Sequence, residues 1–126
     1  MTETILKSQL MKVIRDTLKG FVSFRLEETV RSGVPDIVLV GCGFTSWWEV
    51  KFADPDFTTT GIQELTMLRL SVAGIANYII YSQVFDVQRT YIVHPKDFAC
   101  WQTREWKKGF DHRWVAEQMR KCHAPS

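Results

Sequence analysis

Two short apolar runs joined by a tight turn constrain the fold of this chain more than any other feature. The runs are Asp36–Val40 and Ser46–Phe52, and the segment Gly41–Gly43 turns the chain between them. A parallel pair needs a crossover of about a dozen residues, so these two strands are expected to be antiparallel neighbours. A helical pattern at Gly61–Ala73 precedes another apolar run at Asn77–Ser82, and a helical connection permits a parallel pair. The sequence therefore predicts an α/β fold with a mixed sheet.

The residues before this hairpin predict one helix and one more strand. Apolar residues recur at helical spacing over 5–18, with Thr2 or Thr4 as the N-cap and Gly20 as the stop. Over 22–27 apolar and polar residues alternate, which predicts a half-exposed strand. Its buried face would consist of Val22, Phe24 and Leu26.

The remaining residues predict the rest of the sheet and a helical C-terminal extension. The helix at 61–73 would bury Leu65, Leu68 and Val72, and a further strand is expected at Thr90–Val93. Pro95 would open a short helix, and the region after Phe110 has a helical pattern. We expect one domain, residues 1–126, with a core at about 3–94 and a basic, aromatic helical extension at about 95–126.

Length and composition indicate the broad class of protein. A chain of 126 residues is long enough for one modest core, and 45% hydrophobic with 24% charged residues is typical of a folded soluble protein. No apolar run is long enough to span a bilayer, and the first residues lack a secretory signal. We therefore expect a cytoplasmic protein with no membrane segment. Its three cysteines lack zinc-site spacing and are expected to be reduced thiols.

Three ionisable residues converge within this apolar segment. Asp36 begins one strand of the hairpin, and Glu49 and Lys51 lie two residues apart on one face of the other. Carboxylates that converge repel each other unless a cation joins them, and a hard, oxygen-ligated ion such as Mg²⁺ meets that need. Such an ion with a nearby ammonium supplies what phosphodiester hydrolysis requires. We expect Asp36 and Glu49 to bind the metal and Lys51 to stabilise charge.

These residues resemble a known nuclease family. Pro35-Asp36 followed by Glu49-Val50-Lys51 reproduces the PD-(D/E)xK signature of the restriction-endonuclease-like nucleases, whose core is αβββαβ. The string Ser32–Asp36, with Gln63 on the next helix and Gly74 at its end, is similar to the virus-type replication–repair nuclease (VRR-NUC) branch. That branch is similar to the archaeal-type Holliday junction resolvases. The resemblance covers roughly residues 3–82.

The resemblance implies further site residues. Glu3 on the first helix would complete the metal site, the Val50 carbonyl would be another ligand, and Gln63 would support the catalytic Lys51. The chain departs from the family pattern after the lysine, where Phe52-Ala53 replaces a common glycine. Ordinary structural roles compete with each assignment: a salt bridge for Glu49 and Lys51, a turn end for Asp36, a helix surface for Gln63 and a first-turn charge for Glu3.

Basic residues predict where nucleic acid would bind. They cluster near the C-terminus among aromatic residues, and a solvated amphipathic helix is the competing interpretation. The candidates are Arg31 beside the site and Lys107, Lys108, Arg113, Arg120 and Lys121.

Together, these features and the family resemblance predict a structure-selective DNA endonuclease, similar to a Holliday junction resolvase and of phage or viral origin. It would use Mg²⁺, with Mn²⁺ as a substitute, and would act on branched DNA as a homodimer with aromatic contacts such as Trp48. The alternatives are a flap, nick, single-strand or restriction-like nuclease, a catalytically silent nucleic-acid-binding module, and a protein-interaction domain.

Overall fold

Three helices are found in the part of the chain that the structure describes. The computed structural model describes residues 1–26, 33–106 and 109–124, without the side chains of Trp101 and Trp106. The helices are α1 (Glu3–Thr17), α2 (Gly61–Ala73) and α3 (His112–Lys121), and Thr2, Thr60 and Asp111 cap their first turns. None of the helices in these ranges is long and apolar enough to cross a membrane.

The described strands form one mixed sheet. They lie in chain order as β1 (Val22–Arg25), β2 (Ile37–Gly41), β3 (Phe44–Ala53), β4 (Ile75–Val84), β5 (Val87–Val93) and β6 (Cys100–Trp106). The strands β3 and β4, which α2 connects, are parallel, and every other neighbouring pair is antiparallel. The predicted α/β fold with a mixed sheet is confirmed.

Different helices cover the two faces of the sheet. The helices α1 and α3 pack against one face around Trp48 and Val50, and α2 packs against the other around Tyr78. Because side chains alternate along a strand, Glu49 and Lys51 belong to the face that α2 covers. The short α2 leaves that face open at β1.

The predicted burial of β1 was wrong. Val22 and Phe24 are each 53% exposed, whereas Ser23 and Arg25 are half-buried. The guanidinium Nη1 of Arg25 donates to the Ser8 hydroxyl of α1 at 2.9 Å, so α1 lies over the polar face of the strand. Alternation alone predicts two faces, and the helix that packs against one of them decides which is buried.

The predicted buried face of α2 was also wrong. Leu65 and Val72 are 48% and 82% exposed, and the buried residue is Met67. Apolar residues occur all round this helix, so their spacing does not single out one face.

The sequence predicted a helical extension at about 95–126, but the C-terminal region is only partly helical. Its first part is the edge strand β6, and helix begins only at His112. Residues 102–105 are all exposed at the edge of the sheet, so their polar character fits a solvated helix as well as an edge strand.

A buried histidine ties the end of α3 to the β2–β3 hairpin. His123 Nε2 lies 2.6 Å from Ser46 Oγ, and its Nδ1 lies 2.9 Å from the Gly41 carbonyl oxygen. A carbonyl only accepts, so Nδ1 carries the hydrogen and Nε2 accepts from Ser46. The Trp48 indole donates to the same hydroxyl at 2.7 Å. Trp48 is fully buried, which rules it out as the dimer contact that its strand position suggested.

Candidate active site

Two acidic side chains complete the hydrogen bonding of β3 where β2 ends. The pairing of β2 with β3 begins at Ile37, opposite Trp48, so the residues of β3 beyond this point need other acceptors. Asp36 Oδ2 accepts from the Val50 N–H at 2.8 Å, and Glu3 Oε1 accepts from the Phe52 N–H at 3.2 Å. The sheet edge itself therefore positions Asp36 and Glu3.

Glu49 and Lys51 lie side by side on β3 and are buried. They are 2% and 6% exposed, respectively. The Lys51 ammonium donates to Gln63 Oε1 at 3.1 Å, and the same oxygen accepts from the Thr59 hydroxyl at 3.1 Å and the Thr60 N–H at 3.3 Å. Gln63 thus links the first turn of α2 to the lysine. The structure brings together Asp36, Glu49, Lys51 and Gln63, and their catalytic and metal-binding roles stay predictions.

Lys7 is a site residue that the sequence interpretation missed. Its ammonium lies 3.0 Å from Asp36 Oδ1, and the two side chains are only 17% and 15% exposed. Lys7 comes one helical turn after Glu3, at the spacing that places two residues on the same helix face. That spacing was the available signal: if Glu3 faces the site, Lys7 faces it as well.

The environment of Glu49 favours its protonated form. Burial, hydrogen bonding to Asp36 and the charge of Asp36 together raise the pKa of Glu49 to about 9, although Lys51 and Lys7 act in the opposite direction. With no metal bound, Glu49 is therefore expected to keep its proton at neutral pH in the folded protein.

Tyr78 forms part of the wall of the site. It lies opposite Glu49 in the parallel pairing of β3 with β4 and is fully buried, with its ring stacked on Phe98. Burial is the main cause that raises the pKa of Tyr78 to about 12, so its hydroxyl stays protonated. The charge of Glu49 also raises the pKa of Tyr78, so the two side chains are close enough to interact.

The acidic pair has the chemistry of a divalent-cation site. Glu49 Oε2 is buried and has no hydrogen-bond partner among the described residues. An oxygen-ligated cation would satisfy this atom and remove the repulsion between the two carboxylates. Within residues 1–26, 33–106 and 109–124, no three His, Cys, Asp or Glu side chains are grouped to hold a metal, so Glu3 stands apart from Asp36 and Glu49. The ligand roles of Glu3 and of the Val50 carbonyl stay predictions.

The predicted DNA-binding residues that the structure describes lie at the two ends of α3. Arg31, Lys107 and Lys108 lie outside the described residues. Arg113 is exposed in the first turn of α3, where the neighbouring His112 bonds to Tyr81 of β4. Arg120 and Lys121 end α3 beside the β2–β3 turn, at the opposite end of β3 from Lys51.

Comparison with known proteins finds several solved structures of similar architecture, and one of them is an archaeal resolvase. No family model matches the chain, and no curated protein matches it. The structure of Hjc, a Holliday junction resolvase from the archaeal hyperthermophile Archaeoglobus fulgidus, aligns with 90% of this chain and 96% of that chain. The sequence identity is 16% and the TM-score is 0.48.

Proposed function

We propose that this chain is a divalent-cation-dependent nuclease that hydrolyses phosphodiester bonds in DNA. The observation that supports this most is the acidic pair of buried Glu49 and partly buried Asp36, with Lys51 beside Glu49 on the same strand face. Placing two carboxyl groups together in a largely shielded site costs folding free energy, and strongly perturbed acids of this kind occur most often at functional sites. A surface salt bridge between Glu49 and Lys51 would account neither for the burial of these two side chains nor for the raised pKa of Glu49.

The carboxylates of Asp36 and Glu49 would hold Mg²⁺, or Mn²⁺ in its place. When bound, such an ion polarises the phosphate and lowers the pKa of a coordinated water. Glu49 has to release its proton to act as a ligand, whereas Asp36 is already held by the Val50 N–H. The N–H and C=O of a strand residue point to the same side, so the Val50 carbonyl is also directed towards Asp36, which supports its assignment as a further ligand.

Lys51 would stabilise the negative charge that grows on the phosphate during cleavage. Its ammonium is shielded from water and oriented by Gln63, whose own position is fixed by the first turn of α2. A donor that is already in place costs no reorganisation when the reaction occurs. Gln63 is thus a positioning residue for Lys51.

The finer form of this proposal is a structure-selective enzyme. One small domain has little surface for reading bases, so the geometry of a branch or an end is the expected determinant. The resemblance of Ser32–Asp36, Gln63 and Gly74 to the VRR-NUC branch supports an enzyme of that type, of phage or viral origin, that resolves Holliday junctions.

A homodimer would present two sites to the two opposed strands of a symmetric junction. Exposed apolar side chains on the α2 side of the sheet support this assembly, because they provide surface that a second copy would cover. They include Val22 and Phe24 of β1 and Leu65 and Val72 of α2.

Cleavage of a panel of DNA structures tests the proposed function. Purified protein is incubated with four-way junction, flap, duplex and single-stranded DNA in Mg²⁺, in Mn²⁺ and in EDTA. Asp36→Asn, Glu49→Gln and Lys51→Ala should each reduce cleavage by orders of magnitude, whereas Glu64→Gln, an exposed acid on α2, should not. Cleavage in EDTA, or full activity of Asp36→Asn, would refute the proposal. DNA binding without cleavage under any of these conditions would instead identify a silent binding module.

A further inference from the structure

Both oxygens of the Asp36 carboxylate already have partners in the folded protein. Oδ2 accepts from the Val50 N–H at 2.8 Å, and Oδ1 accepts from the Lys7 ammonium at 3.0 Å. The Lys7 contact is the one that carries a full positive charge, and both side chains are largely shielded from water. Lys7 therefore neutralises Asp36 at the place where the proposed function requires a metal ion.

The two lysines of the site have different partners and cannot act alike. Lys51 donates to the neutral Gln63 side chain, which leaves it beside the acidic pair, whereas Lys7 is bonded to a carboxylate of that pair. A divalent cation on Asp36 would lie close to the Lys7 ammonium, and like charges in a shielded site repel strongly. Metal binding and the contact between Lys7 and Asp36 are therefore in competition.

We propose that Lys7 is the resident counter-cation of Asp36 in the metal-free site, and that a divalent cation must displace its ammonium in order to bind. The inference rests on the metal-binding part of the proposed function. Lys7 then sets the affinity of the site for metal, because each ion that binds has to break the ion pair between Lys7 and Asp36. Lys7 is a positioning residue on this account, because it acts through Asp36.

Equilibrium binding of Mn²⁺ alone, without DNA, measures this competition directly. Lys7→Met keeps the length and apolar stem of the side chain and removes its charge, and Lys7→Gln is a second neutral variant. Both should bind Mn²⁺ about tenfold more tightly than wild type, a typical size for coupling between two sites. Lys7→Arg should stay close to wild type because it keeps the charge. Lys12→Gln, on the exposed face of α1, is the matched control and should be unchanged. Thermal melting establishes that each variant is folded.

The direction of the change separates competition from a merely structural role. If Lys7 only held Asp36 in place, its loss would disorder a ligand and weaken Mn²⁺ binding. Unchanged or weaker binding by folded Lys7→Met and Lys7→Gln, with normal binding by wild type, would overturn the inference and leave the proposed function standing. If neither wild type nor the Lys7 variants bound Mn²⁺, the metal site and this inference would both be wrong.

Discussion

Glu49→Gln should remove much of the pH dependence of the stability of the metal-free protein. Burial and Asp36 raise the pKa of Glu49 from an ordinary 4.5 to about 9. The folded protein therefore keeps a proton at pH values where the unfolded chain has lost it. The favourable contribution of protonated Glu49 is complete below the unfolded pKa and is lost as the pH rises through this range towards the folded value. Glutamine does not ionise, so the variant lacks this dependence.

The size of the effect follows from the difference in bound protons. One proton that is held in the folded state but not in the unfolded state changes the free energy of unfolding by at most about 1.4 kcal/mol per pH unit. From about pH 5.5 to about pH 8.5, wild type should lose up to about 4 kcal/mol relative to Glu49→Gln. The variant should be the more stable protein at the alkaline end.

Urea unfolding in EDTA across this pH range measures the difference. The fluorescence of the buried Trp48 provides one probe and circular dichroism another. Glu64→Gln is the control, since it removes an exposed carboxylate and should keep the wild-type dependence on pH. Parallel pH profiles for wild type and Glu49→Gln would show that Glu49 is ionised in the folded protein and would refute the reasoning.

Three further predictions concern packing, DNA binding and assembly. His123→Ala should lower the free energy of unfolding by roughly 2–4 kcal/mol in urea titrations, because the buried Ser46 hydroxyl loses its acceptor. A loss below about 0.5 kcal/mol would contradict the hydrogen bond between Ser46 and His123. Neutralising Arg113 should weaken DNA binding and its salt dependence more than neutralising Arg120 and Lys121 together, because Arg120 and Lys121 lie at the far end of β3 from Lys51. The reverse order in binding assays would place the DNA elsewhere. Light scattering should give twice the chain mass of 14.7 kDa, and an active species at the single mass would exclude the homodimer.

The parts of the fold that local rules decide could be predicted from the sequence. The turn at 41–43 dictated an antiparallel pair, and the register of that pair brought Asp36 next to Val50, within reach of Glu49. The first helix begins at Glu3, and its N-cap is Thr2, one of its two predicted caps. These features depend on turn length, alternation and capping, all of which involve residues close together in the sequence.

The parts that depend on packing partners could not be predicted in this way. The buried face of β1 was set by α1, and the buried face of α2 was not marked by its apolar pattern. The edge strand β6 was missed because its basic and aromatic residues also fit a helix. Lys7 was overlooked because its partner, Asp36, lies 29 positions further along the chain.

The two acids of the site should have different fates in a descendant that no longer needs catalysis. Asp36 supplies the acceptor for a backbone N–H of β3, so its replacement would leave a donor unsatisfied and make the protein scarcer in the cell. At neutral pH, keeping Glu49 protonated in the folded state makes the protein less stable than it would be with glutamine there, so this replacement should increase abundance. Selection for a stable protein alone would therefore discard Glu49 early and retain Asp36. A lineage that keeps both acids is under continued selection for the chemistry.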